Sequence, residues 1–230
     1  YALGGQGGLI CAQASDGKLL WSKNLKDLGG KVPDWGYAES VLVDGGKVVC
    51  TPGGKKGAIT ALDKKTGEVL WQSRDFTDGA QYASLIAFEH DATRQYAQLT
   101  MKSIAGVAAK DGKLLWRVDW PGRTAVIPTL IFRDGCVYAT SGYSAGSKLV
   151  KLEKENKTSE VYANRVMKNH HGGVILVGDH LFGYSDDIGW VCQELRSGKE
   201  VWHEKGKLEK GAVACADGML YLLGEGSGTV

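Results

Sequence analysis

The sequence predicts an all-β chain of the β-propeller class, and three observations carry that expectation. A phrase ending in tryptophan recurs at Gly8–Trp21 (GLICAQASDGKLLW), Gly57–Trp71 (GAITALDKKTGEVLW), Ser103–Trp116 (SIAGVAAKDGKLLW) and Gly189–Trp202 (GWVCQELRSGKEVW), with a degenerate copy at Gly146–Tyr162. The closing aromatics Trp21, Trp71, Trp116, Tyr162 and Trp202 are 50, 45, 46 and 40 residues apart, a period that marks one supersecondary unit used repeatedly. Short extended runs are joined by Asp-Gly or Thr-Gly, and no apolar spacing near 3.6 residues is sustained over about ten, so the units are hairpins rather than helices.

Within one unit, Ser40–Val43 is a weakly alternating first strand, Asp44, Gly45 and Gly46 turn it, and Lys47–Thr51 is the second strand. A glycine-rich loop follows, then strands Ala58–Leu62 and Glu68–Gln72 around the turn Lys64, Lys65, Thr66, Gly67. The first hairpin recurs at Asp134-Gly135, Gly178-Asp179 and Asp217-Gly218, and the second at Asp16-Gly17, Asp111-Gly112 and Ser197-Gly198. Four-stranded sheets of this size suit the blades of a propeller, which pack face to face around a channel. The expected blades cover approximately 1–26, 37–75, 82–119, 126–164, 172–205 and 211–230 of a single domain. The opening YALGG reads as a second strand and the closing GEGSGTV as the start of a third.

Each closing aromatic has a physical role in this picture. A ring burying roughly 150–250 Å² can wedge between one blade and the next, which at about 25 cal/mol per Å² is an upper bound of about 4–6 kcal/mol. Trp21, Trp71, Trp116, Tyr162 and Trp202 are therefore the expected structural anchors. Tyr162 stands in a repeat that has also lost its turn glycine, so that blade is expected to be the least regular.

The run from Ala61 to Trp71 (ALDKKTGEVLW) matches the AxDxxTGKxxW docking motif of quinoprotein propellers with Glu for Lys, and the other copies keep its last third. The chain resembles the pyrroloquinoline quinone (PQQ) repeat superfamily over essentially its whole length. WGYAES at Trp35–Ser40, VVCTPGG at Val48–Gly54 and NHHGGVILVGD at Asn169–Asp179 resemble a bacterial group of PQQ-binding-like repeat proteins, some labelled polyvinyl alcohol dehydrogenase. The superfamily also contains BamB, an outer-membrane assembly lipoprotein that scaffolds without a cofactor. The resemblance implies export to the periplasm and a propeller of eight blades, of which about five are present here, so the chain reads as an internal piece of a longer protein. The alternative is closure at five blades, with Ala212–Ala216 completing the first sheet.

Composition excludes several classes. The chain has 230 residues, 28 basic and 26 acidic side chains interspersed, and a net charge of +2. No basic stripe is present to hold a phosphate backbone, and no apolar run approaches the roughly 20 residues of a membrane span. The five cysteines Cys11, Cys50, Cys136, Cys192 and Cys215 show no CxxC and no adjacent pair, and their strand settings read as buried thiols.

In a meander, the loops between second and third strands and between blades share one face, which carries every unusual segment: Trp35–Ser40, Thr51–Gly57, Gln81–Ser84, Ile127–Thr129, Ser141–Ser147, Asn169–Gly173 and Tyr184–Trp190. A ligand site belongs there. Trp35, Tyr37, Glu39, Ser40 and Tyr82 offer a stacking platform with a carboxylate, against a reading as packing residues. Asn169, His170 and His171 bring histidine chemistry. Neighbours in an extended chain point to opposite sides, so this pair is not expected to chelate a metal, and Asn169 would cap the loop. Asp186 and Asp187 lack the spaced acids of a calcium site and read as a solvated loop.

The resulting expectation is an exported binding or scaffold module with a ligand site at the channel face, its partners being the remaining blades, a protein or a glycan, and no metal or cofactor of its own. The first alternative, implied by the resemblance, is a PQQ-dependent alcohol dehydrogenase using PQQ with calcium, in which Glu39, His170 or His171 would be the catalytic candidates. The vicinal cysteine pair of such enzymes is missing from the sequence. The second alternative is a carbohydrate-binding or carbohydrate-processing propeller using Trp35 and Tyr37.

Overall fold

The computed structural model describes all 230 residues, which divide into two compact units, Tyr1–Trp120 and Pro121–Val230. The fold is all-β and of the propeller class, each sheet being an antiparallel meander in chain order. In the first unit, β1 (Ala2–Leu3), β2 (Gly8–Ala12) and β3 (Leu19–Asn24) form a three-stranded sheet. Two four-stranded sheets follow: β4 (Leu42–Asp44), β5 (Lys47–Cys50), β6 (Thr60–Asp63) and β7 (Val69–Gln72), then β8 (Ile86–His90), β9 (Thr93–Leu99), β10 (Ser103–Ala108) and β11 (Leu114–Asp119). The second unit has the four-stranded sheets β12 (Ile131–Arg133), β13 (Cys136–Ser141), β14 (Gly146–Leu152), β15 (Thr158–Asn164) and β16 (Val174–Val177), β17 (His180–Ser185), β18 (Gly189–Glu194), β19 (Glu200–Glu204). A two-stranded sheet, β20 (Gly211–Ala216) and β21 (Met219–Gly224), completes it.

Burial on both faces explains the weak alternation of these strands. Val48 and Val49 are consecutive and both fully buried. Val48 packs with Leu9, Cys11 and Trp21 of the first sheet, and Val49 with Tyr96, Ala105 and Val107 of the third. Alternating side chains thus feed two cores, and such a strand reads as a continuous apolar run. In the second unit, Cys136, Tyr138 and Leu149 meet Leu181, Val191 and Leu195 in the same way.

One device recurs in every sheet that has a fourth strand, and in the three-stranded first sheet. The register slips beside the closing aromatic, at Cys11/Ala12, Ala61/Leu62, Gly106/Val107, Leu149/Val150 and Cys192/Gln193. The residue left without a partner is Leu20, Leu70, Leu115, Val161 or Val201, immediately before the aromatic. A bulge bends its strand and re-aims the next side chain, and here it turns the ring across the sheet.

Three of the five aromatics lie on a turn of the following sheet. The Trp21 ring is 2.8 Å from where a Cβ on Gly67 would stand, and its indole N–H donates to the Lys64 carbonyl at 3.1 Å. Trp71 covers Gly112 in the same way, stacked with Tyr96 at 6.1 Å. Tyr162 covers Gly198 and its hydroxyl donates to the Leu195 carbonyl at 3.0 Å.

The other two depart from expectation for identifiable reasons. Trp116 stands opposite Gly106, which leaves room beneath the ring, so the indole lies back over its own sheet and donates to Gln95 Oε1 at 2.7 Å. Trp202 is 42% exposed beside Phe182, and the sheet that follows it here is two-stranded. The sheet of Tyr162 is not the least regular: β13, β14 and β15 have 6, 7 and 7 residues. Its irregularity is confined to the turn, where Lys154–Asn156 forms a 3-10 turn and Glu155 and Asn156 supply the positive φ that glycine supplies elsewhere. Cys11, Cys50, Cys136 and Cys192 are buried thiols, whereas Cys215 is exposed on the two-stranded sheet.

Gly17 and Gly67 separate backbone strain from ring contact, since both have φ +74° but a Cβ on Gly17 meets open space. Gly17→Ala should cost about 1–2 kcal/mol, the left-handed penalty alone. Gly67→Ala adds the collision with Trp21 and should cost about 1–3 kcal/mol more, read as the difference between the two midpoints in chemical denaturation.

Candidate functional site

In the first unit, the loop from Trp35 to Ser40 precedes the second sheet and is pinned at several points. The Tyr37 amide donates to the Gly5 carbonyl at 2.9 Å. Gly36, at φ +82°, lies so close to Gly5 that a Cβ would stand 2.9 Å from that carbonyl oxygen. Tyr37 itself is buried in the core, and its hydroxyl donates to the Pro52 carbonyl at 2.9 Å. Burial, with the Glu39 and Cys50 charges behind it, pushes that phenol up to about 12. Ser40 donates its amide to Ser84 Oγ at 2.9 Å.

Trp35 is the exposed member, 66% accessible. Its amide donates to the Tyr82 hydroxyl at 3.3 Å and its ring lies 5.9 Å from the ring of Tyr82, which is itself buried. A large aromatic is thus held outward on a fixed backbone.

Two buried carboxylates near this loop have opposite fates. Asp78 Oδ2 accepts from Thr100 Oγ1 and Ser103 Oγ, each at 2.6 Å, and Oδ1 from Arg117 Nη2 at 2.8 Å. That network is complete and structural. Glu39 is 6% exposed, and its Oε1 accepts from the Thr51 amide at 2.5 Å. Its Oε2 has no partner at all. Gln98 Nε2, the nearby amide donor, is already committed to Thr51 Oγ1 at 2.7 Å and the Ala83 carbonyl at 3.1 Å. Desolvation of the charged form outweighs the Thr51 bonds and lifts the Glu39 carboxyl from 4.5 to about 7, as burial of an unpaired acid does.

In the second unit, Asn169 is fully buried and donates Nδ2 to the His171 carbonyl at 3.1 Å and the Tyr184 carbonyl at 2.9 Å, while its Oδ1 is unpartnered. The two histidines do not point to opposite sides. Their rings are 4.9 Å apart, because the segment is a bent loop rather than a strand. His170 Nδ1 lies 3.2 Å from Lys210 Nζ, and burial first, then the Lys210 charge, lowers its pKa. His171 Nε2 lies 3.1 Å from Glu225 Oε2. The loop also carries the last sheet: Val213 donates to the Gly172 carbonyl at 3.3 Å, and a Cβ on Gly172 would collide with Gly211. Asp187 in the neighbouring loop pairs with Lys168 at 2.6 Å.

Sequence reasoning grouped Trp35, Tyr37, Glu39, Ser40 and Tyr82 without their partners, and missed Asp78 with Thr100, Ser103 and Arg117 altogether. No pattern joins residues so far apart in the chain. It named the segments Ser141–Ser147 and Tyr184–Trp190 but not Lys210, which meets Tyr143 and Tyr184 in the second unit. No three of the His, Cys, Asp and Glu side chains come together as a metal-holding group. Glu39 stands as one carboxylate where calcium takes roughly six to eight oxygens, so the donor set does not fit a calcium-bound quinone.

The family model described as outer membrane protein assembly factor BamB matches residues 1–204. Among solved structures, BamB from Moraxella catarrhalis superimposes with a TM-score of 0.60 at 18% identity, covering 86% of this chain and 55% of that one. The computationally designed Ika8 protein gives 0.65 at 15% identity, covering 95% of this chain and 62% of the design. The chain thus spans little more than half the length of these relatives in structure, and at such identities the likeness is one of fold. No curated protein matches it.

The lifted Glu39 carboxyl fixes the sign of a pH effect. Between pH 4.5 and about 7 the folded chain holds a proton that the unfolded chain has released, so this group's contribution to stability falls as pH rises and levels off above the folded value. Glu39→Gln removes the dependence. The stability of the native sequence relative to the variant should drop by on the order of 3 kcal/mol between pH 4.5 and 8, measured by urea denaturation of both proteins across that range.

Proposed function

The chain belongs to the family described as outer membrane protein assembly factor BamB, and from that premise we propose that it is an exported, periplasmic scaffold that holds protein partners in outer-membrane protein assembly and turns over no substrate. The observation that supports this reading most directly is Trp35, 66% exposed on a loop held by the Trp35 and Ser40 amides and the Tyr37 hydroxyl. Interface energy concentrates in a few large aromatics, and an anchor already fixed in its bound conformation loses little entropy when a partner covers it. Trp21, Trp71 and Tyr162 serve in the proposal as the docking residues that keep successive sheets rigid behind this surface.

The polar groups around Trp35 favour a scaffold over a reaction centre. The Tyr37 hydroxyl and the Gln98 amide are engaged with backbone carbonyls, and the Ser40 amide donates to Ser84 Oγ. Glu39 is buried, and only its unpartnered oxygen is uncommitted. A general base needs reach to a substrate proton, whereas these groups shape and stiffen the loop.

Two measurements on the full-length parent test the reading. A photo-crosslinking residue in place of Trp35, in protein exported to a bacterial periplasm, should trap components of outer-membrane protein assembly, while the same residue in place of Asp16 should not. Trp35→Ala should weaken co-purification of the trapped partner by about tenfold or more, the loss of one hot-spot side chain. Stoichiometric binding of PQQ with calcium, accompanied by dye-linked alcohol oxidation that Glu39→Gln abolishes, would overturn the proposal in favour of a quinoprotein dehydrogenase.

A further inference from the structure

We propose that the second unit carries a binding site for a neutral sugar ring, in a depression walled by Tyr143 and Tyr184. The inference is independent of the scaffold role and of the Trp35 loop. The depression has a volume of about 400 Å³ and is lined by Tyr143, Ser144, Tyr184, Asp186, Asp187 and Lys210. That volume is within the roughly 300–1,000 Å³ of small-molecule sites.

Both aromatic walls are preset. Tyr143 meets His170 edge-on, with centroids 4.5 Å apart and planes at 65°. Tyr184 meets Trp190 in the same manner, at 5.6 Å and 88°. Edge-to-face packing of this kind fixes ring orientation, and each tyrosine is half-buried and lines the depression. Tyr143 is held at a cost. It and Ser144 occupy the tip of the β13–β14 hairpin with φ 54° and 64°, a left-handed pair that turns of this kind normally assign to Asn and Gly. Glycine does occur one residue earlier, where a Cβ on Gly142 would stand 2.7 Å from His170 Cα, so the hairpin tip is pressed against the histidine loop. Strain at a side chain that the core does not need is a signature of function.

The polar lining offers both hydrogen-bonding senses with little net charge. Asp186 accepts its loop position through a backbone bond, its amide donating to the Lys168 carbonyl at 3.0 Å, and no hydrogen bond engages its carboxylate. Lys210 Nζ is set by His170 Nδ1 at 3.2 Å and Glu225 Oε1 at 3.9 Å, which leaves a proton to give. Ser144 is exposed and its hydroxyl can donate or accept. Asp187 is neutralised by Lys168 at 2.6 Å. An anion would face Asp186, and a cation would face Lys210. A pyranose answers the arrangement without either conflict. Its C–H face packs on a tyrosine ring, and its hydroxyls donate to Asp186 while accepting from Lys210.

The test is a titration of the protein with glucose, galactose, N-acetylglucosamine and their β-1,4-linked trimers, followed by the fluorescence of Trp190 through its Tyr184 contact and by saturation-transfer NMR. At least one neutral sugar should bind with a dissociation constant of about 0.1–10 mM. Tyr143→Gly removes the wall while relaxing the left-handed backbone, so it should fold normally and weaken binding by tenfold or more. Asp186→Asn should weaken it similarly, and Tyr143→Phe should retain most of it. The proposal fails if none of these sugars binds up to that limit, if Tyr143→Gly and Asp186→Asn bind as the native protein does, or if galacturonate binds and the neutral sugars do not.

Discussion

The contact between an aromatic ring and a glycine turn is the constraint on which the rest of this molecule depends. A ring at the end of one sheet needs a surface without side chains on the next, and Gly67, Gly112 and Gly198 provide it beneath Trp21, Trp71 and Tyr162. The bulge one residue earlier aims the ring, and the glycine receives it. Once sheets are registered this way, the second sheet is buried on both faces, and its consecutive residues Val48 and Val49 serve separate cores. The loops between sheets are then anchored at both ends, and Trp35 stands exposed on one whose backbone is bonded at Trp35, Tyr37 and Ser40.

Two acids show how the same fold yields different electrostatics. Asp78 sits among hydroxyls and a guanidinium from the third sheet, so its charge is matched on every side. Glu39 lies where the neighbouring donors are already engaged with backbone carbonyls and with each other. The difference is one of partners rather than depth, since both are nearly inaccessible. An unmatched acid beneath a preset aromatic loop is tolerable in a stiff scaffold because it can take up a proton near neutrality, where a flexible loop would let in water.

Much of the fold was legible because the repeat announces itself: one aromatic, one turn glycine and a fixed spacing specify a meander without any help from propensity. The departures came from single residues acting through space. Gly106 lets Trp116 fold back over its own sheet, and Glu155 with Asn156 replaces the turn glycine of the other repeats. The candidate site was legible only as segments. Unusual loops could be named, but the sides to which adjacent residues such as His170 and His171 point depend on a bent backbone that an extended-chain rule does not describe. Tyr143 carried a faint signal, an aromatic at a hairpin tip where turn chemistry asks for something smaller.

The bulge beside each closing aromatic also governs how these sheets meet other molecules. Leu20, Leu70, Val161 and Val201 are turned outward there, each about half exposed, on the outermost strand of its sheet. An unbroken edge strand would present a ladder of free amides and carbonyls for another chain to extend. A strand kinked by an extra residue presents a broken ladder. Each of these outer strands is therefore apolar in its outward side chain and unreceptive through its backbone. Self-association along these edges should be weak and reversible rather than fibrillar.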